Sequence, residues 1–392
     1  MPTRIAIVGA SVAGSYFAYL MARNGVAVDL FDPLAPWSKP CGGGITTKAI
    51  ASFPLLAGLA AEAEAVARFR LIAPSGRIAE IDSGRPLWLL PRRALNRFLL
   101  RQAVAAGARH LDLRVTAVRR DGGGWRLTTE GGEGGEGGEA SGEGGYTHLV
   151  GADGAVSTVR RCLDRPLARG ELILALDYHL NEPELTPGVD IAFLGRGMGY
   201  VWAFVAARYA SIGIGAPAAS HRSAALAASL RQFLDRHYPG AVAPDASPMR
   251  WVIPLHGRGF LDRYRIQGDR WALIGDAAGL ADPLTGEGIY YALASARLLA
   301  EAFLLDEPAT YTAAVRRTVV PELEKGYAIA HDYLRPRLLN LLVGAASHSA
   351  SLRDLLATYL SGEASYQVAR TLLRRRRGAI LGELIGIGKK FP

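Results

Sequence analysis

One stretch constrains this chain more than any other: Gly275-Asp276-Ala277-Ala278-Gly279-Leu280-Ala281-Asp282-Pro283-Leu284-Thr285-Gly286-Glu287-Gly288-Ile289. It follows the strand-like run Trp271 to Ile274 and leads into an alanine-rich helical pattern. An Asp at a strand end accepts from a ribityl or ribose hydroxyl. Glycines ahead of a helix let backbone N–H groups come close to a flavin and its pyrophosphate. The stretch reads as the second half of a flavin site, with Gly275, Asp276, Pro283, Gly286, Gly288 and Ile289 as candidate contacts.

Two further segments agree. Arg4 to Val8 form an apolar strand, Gly9 to Gly14 make the turn, Ser15 to Asn24 carry helical periodicity, and the strand Val26 to Phe31 ends at Asp32. Asp32 falls 18 residues after Gly14, near the interval at which a carboxylate meets the adenosine ribose in a dinucleotide unit. Gly9, Ser11, Ala13, Gly14 and Asp32 are therefore candidate nucleotide contacts, with the small Ser11 at the second glycine position. The third segment, Gly151-Ala152-Asp153-Gly154-Ala155-Val156-Ser157-Thr158-Val159-Arg160-Arg161, follows the run His148 to Val150. Three such loops in order are far more specific than one.

On these loops the chain resembles, over about residues 1–325, the FAD-dependent oxidoreductases built like aromatic hydroxylases, whose loops read GxGxxG, GADGxxSxVR and GDAA…P..GEG. Two more pieces narrow the resemblance to the geranylgeranyl reductase branch. Lys39-Pro40-Cys41-Gly42-Gly43-Gly44-Ile45 is similar to K-x-C-G-G-G-L, and Tyr200-Val201-Trp202-Ala203-Phe204 is similar to Y-x-W-x-F-P, with Val205 in place of the proline. Arg92-Arg93-Ala94-Leu95-Asn96, opening a helix to about Ala106, resembles R-x-x-L/F-D.

The resemblance implies an α/β fold: a Rossmann-like FAD-binding domain, an inserted α+β substrate domain with an antiparallel sheet over the flavin, and a helical C-terminal region. The chain divides accordingly into residues 1–60, 90–165 and 263–325 for FAD, 61–89 and 166–262 for substrate, and 326–392 for the helical end. It further implies that Arg92 approaches the pyrophosphate, where a bidentate guanidinium fits phosphate oxygens. Cys41, Gly42, Gly43 and Val115 join the cofactor contacts on the same ground. The implied reaction saturates C=C bonds of a polyprenyl chain or prenylated lipid by hydride from reduced FAD, with electrons from NADPH, NADH or ferredoxin. The rival on the same scaffold is an FAD-dependent monooxygenase or halogenase acting on a hydrophobic or aromatic substrate, for which oxygen is a substrate.

In that reaction the second alkene carbon must receive a proton from a nearby acid, and the Cys41 thiol is the candidate. The other reading of Cys41 is a small thiol that merely packs. Tyr200, Trp202 and Phe204 alternate at strand spacing, so their side chains share one face. That face lines a substrate tunnel for an isoprenoid, whose burial is worth roughly 25 cal/mol per Å², or it is ordinary sheet core. The histidines form no HxH or HxxxH pair, so no metal is assigned. Ser11 is not a nucleophile elbow, because Ala13 stands where that motif needs Gly.

A chain of 392 residues with 49% hydrophobic content builds a large core and two or three domains. Of its 45 basic residues 40 are Arg, spread along the chain with one dense cluster, which argues against nucleic-acid binding despite the net charge of +9. Two cysteines, Cys41 and Cys162, are too few for a disulfide framework, so a cytoplasmic location is expected. The first strand begins at Arg4, leaving no room for a signal peptide, and no run reaches the ~20 apolar residues of a membrane span. Gly131 to Gly145 repeat Gly-Gly-Glu and read as a flexible hairpin insertion. From Tyr366 to Pro392 five Arg and two Lys stand against Glu383, a formal +6. This end either rests on anionic lipid at the inner membrane face or is a solvated basic helix with a core-packing segment.

Overall fold

The computed structural model describes residues 3–131, 138–140, 145–363 and 365–388. Their contacts define two compact units: Met1–Ser38, Arg92–Leu172 and Val252–Tyr327 in the first, and Lys39–Pro91, Ile173–Trp251 and Ala328–Pro392 in the second. Residues 39–60, assigned above to the FAD domain, belong to the second unit, because Gly44–Ile45 pairs with the strand Ile78–Leu89. The helical end groups with that unit as well, and 252–262 with the first.

The first unit is built on a six-stranded sheet in the order Gln267–Gly268, Trp271–Leu273, His148–Gly151, Arg4–Val8, Ala27–Phe31, Arg109–Leu111. All neighbours are parallel except the first pair. Ile5, Ala6 and Ile7 are fully buried, the continuous apolar run expected of a parallel strand covered on both faces. The helix Val12–Ala22 packs against both Arg92–Ala105 and Ile289–Leu304. Since Val8, Gly151 and Leu273 end adjacent parallel strands, the three glycine loops of the sequence emerge side by side at the carboxyl edge, where open α/β sheets bind ligands. A smaller sheet pairs Leu113–Asp121, Gly124–Gly131 and Gly138–Ala140. The last of these is the return strand of the glycine-rich hairpin; residues 132–137 and 141–144 of that tract lie outside the described residues.

The second unit carries an eight-stranded sheet in the order Met249–Pro254, Leu172–Asn181, Tyr209–Pro217, Tyr200–Val205, Gly188–Phe193, Glu64–Ile72, Ile78–Leu89, Gly44–Ile45. Tyr200 to Pro217, legible as one strand-like region, is a hairpin that turns where the Ala206 N–H meets the Tyr209 carbonyl at 2.8 Å. The sheet is not wholly antiparallel: Gly188–Phe193 runs parallel to Glu64–Ile72. More than a hundred residues of chain separate those two strands, so no tight hairpin dictates their direction.

On one face Val201, Ala203 and Val205 pack with Ile212, Ile214 and the helix Ser223–His237 through Leu226 and Leu230. Elsewhere Phe69, Ile81, Leu87 and Leu89 bury against Val343, Leu352, Leu355 and Ile380 of the C-terminal helices. The last helix, Tyr366–Gly388, is therefore part of the core on its inner side. Glu383 accepts from the hydroxyls of Ser349 (2.5 Å) and Ser351 (2.7 Å), while Arg370, Arg374, Arg375 and Arg377 are exposed. The described part of the tail thus combines a core-packing inner side with exposed arginines on the outer side. Among those residues no helix is long and apolar enough to cross a membrane.

Candidate active site

In the first unit the nucleotide loops close on one another at backbone contact. Gly9 has φ +100°, and a Cβ there would lie 2.4 Å from the Ala152 carbonyl oxygen. A Cβ at Gly14 would lie 1.9 Å from the Gly9 carbonyl oxygen, so the helix starts directly over the strand end. The loop carrying Gly275 comes to the same place, since a Cβ on Gly275 would be 3.0 Å from that of Ala13. Gly288 faces Asp276, whose Oδ1 would be 3.2 Å from an added Cβ. Neither Ser11 nor Gly288 caps its helix with a side chain. The two helix N-termini, one of them opening at Ile289, therefore present backbone donors and positive dipole ends, as a pyrophosphate requires.

Side chains complete the cradle. The Ser11 hydroxyl donates to Asn96 Oδ1 (3.2 Å) and accepts from Arg92 Nη2 (3.0 Å), so a serine at the second glycine position is turned away onto the helix Arg92–Ala105. That contact also brings Arg92, only 5% exposed, to the first loop. Asp32 is oriented by three donors: the Ala10 N–H (2.9 Å) and Trp37 Nε1–H (3.1 Å) on Oδ2, and the Leu34 N–H (3.0 Å) on Oδ1. Oδ1 keeps a lone pair for a ribose hydroxyl. Asp282 accepts from the Leu284 and Thr285 N–H groups at 2.9 Å each, and its carbonyl accepts from the Gly286 N–H, which fixes the turn through Pro283. Val115 is buried opposite Thr129 in the small sheet and is not among the residues these contacts gather.

Two buried residues outside the candidate contacts, one of them the arginine of the third loop motif, tie the loops together. Arg160, 1% exposed, donates from Nε to the Ala277 carbonyl at 2.8 Å and leaves Nη2 without a partner. His256, fully buried, donates from Nδ1 to the Gly279 carbonyl at 2.9 Å, and its Nε2 has no partner. Burial pushes the His256 imidazole down to about 4, so it stays neutral. Asp153 caps the helix Thr158–Leu163, accepting from the Thr158 N–H at 2.7 Å and the Ser157 hydroxyl at 2.5 Å. The donor set, the uncapped helix starts and the glycine surfaces fit a dinucleotide such as FAD.

The second unit holds Cys41. Its N–H donates to Asp177 Oδ2 (2.9 Å), its carbonyl accepts from the Tyr209 hydroxyl (3.2 Å), and its Sγ accepts from the Gly43 N–H (3.4 Å). Gly43 sits at φ +73°, with the Leu90 carbonyl oxygen 2.2 Å from where a Cβ would be. Gly42 lies flat on the Phe204 ring, 2.5 Å from a virtual Cβ. Phe204 shares its sheet face with Tyr200 and Trp202, whose rings meet edge to face at 6.2 Å, while Val201 and Ala203 point the other way. Trp202 Nε1 donates to the Ser211 hydroxyl at 2.9 Å, and that hydroxyl donates to Asp177 at 2.8 Å. Asp177 also meets His179 Nε2 at 2.8 Å. Burial pushes the Asp177 carboxyl up, and the His179 hydrogen bond pulls it back.

Fold and loops together define a dinucleotide-binding flavoprotein. The FAD binding domain family matches residues 2–307. A geranylgeranyl diphosphate reductase of Rhodobacter capsulatus is 31% identical over 309 residues, covering 76% of this chain and 73% of that one. A menaquinone reductase of Mycolicibacterium smegmatis is 28% identical over 379 residues, covering 90% and 89%. In architecture the chain is similar to the crystal structure of a geranylgeranyl bacteriochlorophyll reductase-like protein from Thermoplasma acidophilum, with a TM-score of 0.74, 20% identity, and coverage of 97% of this chain and 100% of that one. The chain belongs to the geranylgeranyl reductase family of FAD-dependent oxidoreductases.

Proposed function

We propose that this enzyme saturates carbon–carbon double bonds in the prenyl chain of a lipid, with Cys41 as proton donor. Bound FAD, once reduced, supplies the hydride. The chain's own residues do the rest: Gly9, Ala13, Gly14, Arg92, Gly275 and Asp276 hold the cofactor, and the Cys41 thiol gives its proton to the carbon that does not take the hydride. Tyr200, Trp202 and Phe204 offer the prenyl chain an apolar wall.

The observation that carries this reading is the tie between the two motifs. Phe204 lies on Gly42, and Trp202 reaches Cys41 through Ser211 and Asp177, so the aromatic strand and the thiol are positioned as one piece. The substrates named for the relatives, geranylgeranyl diphosphate and menaquinone, both carry prenyl chains. Lipid is met at the outward side of the last helix, where Arg370, Arg374 and Arg377 recur at helical spacing beside Leu373 and Leu381, 46% and 56% exposed.

An anaerobic single turnover tests the reading. Dithionite-reduced enzyme is mixed with geranylgeranyl diphosphate or with menaquinone, the quinone is reoxidised in air, and the product is weighed. A gain of two hydrogens in the prenyl chain is expected, falling at least 100-fold in rate for Cys41→Ala with FAD still bound. Unchanged lipid, together with an oxygen-dependent product from an aromatic substrate, replaces the reductase with the monooxygenase or halogenase reading. Undiminished reduction by Cys41→Ala removes Cys41 from the chemistry.

A further inference from the structure

We infer that Asp177, with His179 and Ser211, is the positioning group for the Cys41 thiol: it anchors the peptide that carries the sulfur. The inference rests on the role proposed for Cys41 and concerns residues that no loop motif contains.

Two observations carry it. First, Asp177 is fully buried in the strand Leu172–Asn181, at the end of the apolar run Leu172 to Leu176. A buried carboxylate is costly unless its oxygens are satisfied, and apolar residues would pack such a site at least as stably. Here the oxygens are satisfied by the Cys41 N–H, the Ser211 hydroxyl and His179 Nε2. Second, the Cys41 peptide is gripped at both polar ends, since its carbonyl takes the Tyr209 hydroxyl. The two grips come from neighbouring strands, so the thiol's origin is set by the sheet and not by the glycine loop that carries it.

When the S–H bond breaks and the new C–H bond forms, the thiolate takes a proton back from water. The hydrogen bonds around this peptide come from Asp177 on one strand and Tyr209 on the next, with His179 and Ser211 on the Asp177 carboxyl and Trp202 on Ser211.

The test uses the full-length, FAD-loaded protein. Asp177→Ala removes the acceptor for the Cys41 N–H and is expected to retain FAD and to lower single-turnover alkene reduction at least tenfold. Asp177→Asn keeps an acceptor oxygen for that N–H and is expected to restore turnover to within about threefold of the parent.

Wild-type turnover in Asp177→Ala, or equally slow turnover in Asp177→Ala and Asp177→Asn, with Cys41→Ala inactive, overturns the inference and leaves the Cys41 role standing. Full turnover in Cys41→Ala removes that role, and the inference falls with it. If Asp177→Ala does not fold, Ser211→Ala, which takes one donor from Asp177, decides alone: turnover lowered severalfold with FAD retained supports the inference, and parent turnover overturns it.

Discussion

The molecule holds two glycine turns that look alike in sequence and are built on opposite principles. The turn Gly9 to Gly14 is made by the backbone: strand end, turn and helix start meet at contact distance with Ala152 and with each other, and the outcome is a set of open N–H donors. The turn at Cys41 to Gly44 takes its hold from side chains elsewhere, with Asp177, Tyr209 and Phe204 fixing the peptide before Gly43 and Gly44 meet the backbone of Leu90 and Leu89. The first turn's glycines exist to let a charged ligand reach the backbone. The second turn's glycines exist to let the chain lie flat on an aromatic ring while one side chain is presented. Glycine content alone does not separate a binding loop from a presenting loop; what touches the loop from below does.

The sharpest way to break that comparison is to fill each turn. Gly14→Ala drives a methyl into the Gly9 carbonyl and is expected to cost about 3 kcal/mol or more, with loss of bound FAD seen by absorbance and of several degrees in Tm. Gly43→Ala strains a position at φ +73° and drives a methyl to 2.2 Å from the Leu90 carbonyl oxygen, so it too is expected to cost about 3 kcal/mol or more. It should leave flavin occupancy near that of the parent while stopping alkene reduction. If both variants lose flavin equally, the two turns do not act independently.

Acid should separate the two turns next. His256 lies under the Gly279 carbonyl with its folded value at about 4 against an ordinary 6.5. Between those values the unfolded chain holds a proton that the folded chain refuses. Stability is therefore full above pH 6.5 and falls as pH drops toward 4, by on the order of 3 kcal/mol. Denaturant midpoints measured across this range should fall for the parent and fall less for His256→Gln; parallel slopes would dismiss the histidine as the cause.

Two smaller effects sharpen the picture. Asp276→Ala removes a charged acceptor from the cofactor cradle and is expected to weaken FAD binding about 10- to 100-fold, measured by titrating the apoprotein. Full occupancy at substoichiometric FAD would argue that Asp276 does not touch it. In the second unit, Arg370→Gln, Arg374→Gln and Arg377→Gln are each expected to weaken cosedimentation with vesicles containing anionic lipid about fivefold, roughly 1 kcal/mol apiece. Equal binding to neutral and anionic vesicles would remove the tail's part in lipid contact.

Much of the first unit was legible in the chain. The strand Arg4–Val8, the strand Ala27–Phe31 and the helix Arg92–Ala105 fall within about a turn of where periodicity places them, because each is announced by short-range signals. The link between Ser11 and Arg92 was half legible, through two motifs that only the fold brings together. Asp177, His179, Ser211 and Tyr209 were not picked out. One signal was available: an acid directly after the apolar run Leu172 to Leu176, which calls for a buried partner. The sequence offers no way to name that partner.

The nucleotide half is determined by the sequence itself because its requirements are local. A strand of five residues, a turn that needs a left-handed glycine and a helix with an open start are written within a few residues of one another, so the turn is legible before Ala152 and Arg92 close on it from elsewhere in the chain. The setting of Cys41 was decided only by the tertiary structure. Its N–H and carbonyl are held by residues 136 and 168 positions away, and which side chains arrive there depends on the register between the strands Leu172–Asn181 and Tyr209–Pro217. A shift of one residue in that register turns every side chain to the other face. Asp177 becomes an anchor only after the whole sheet has chosen its alignment.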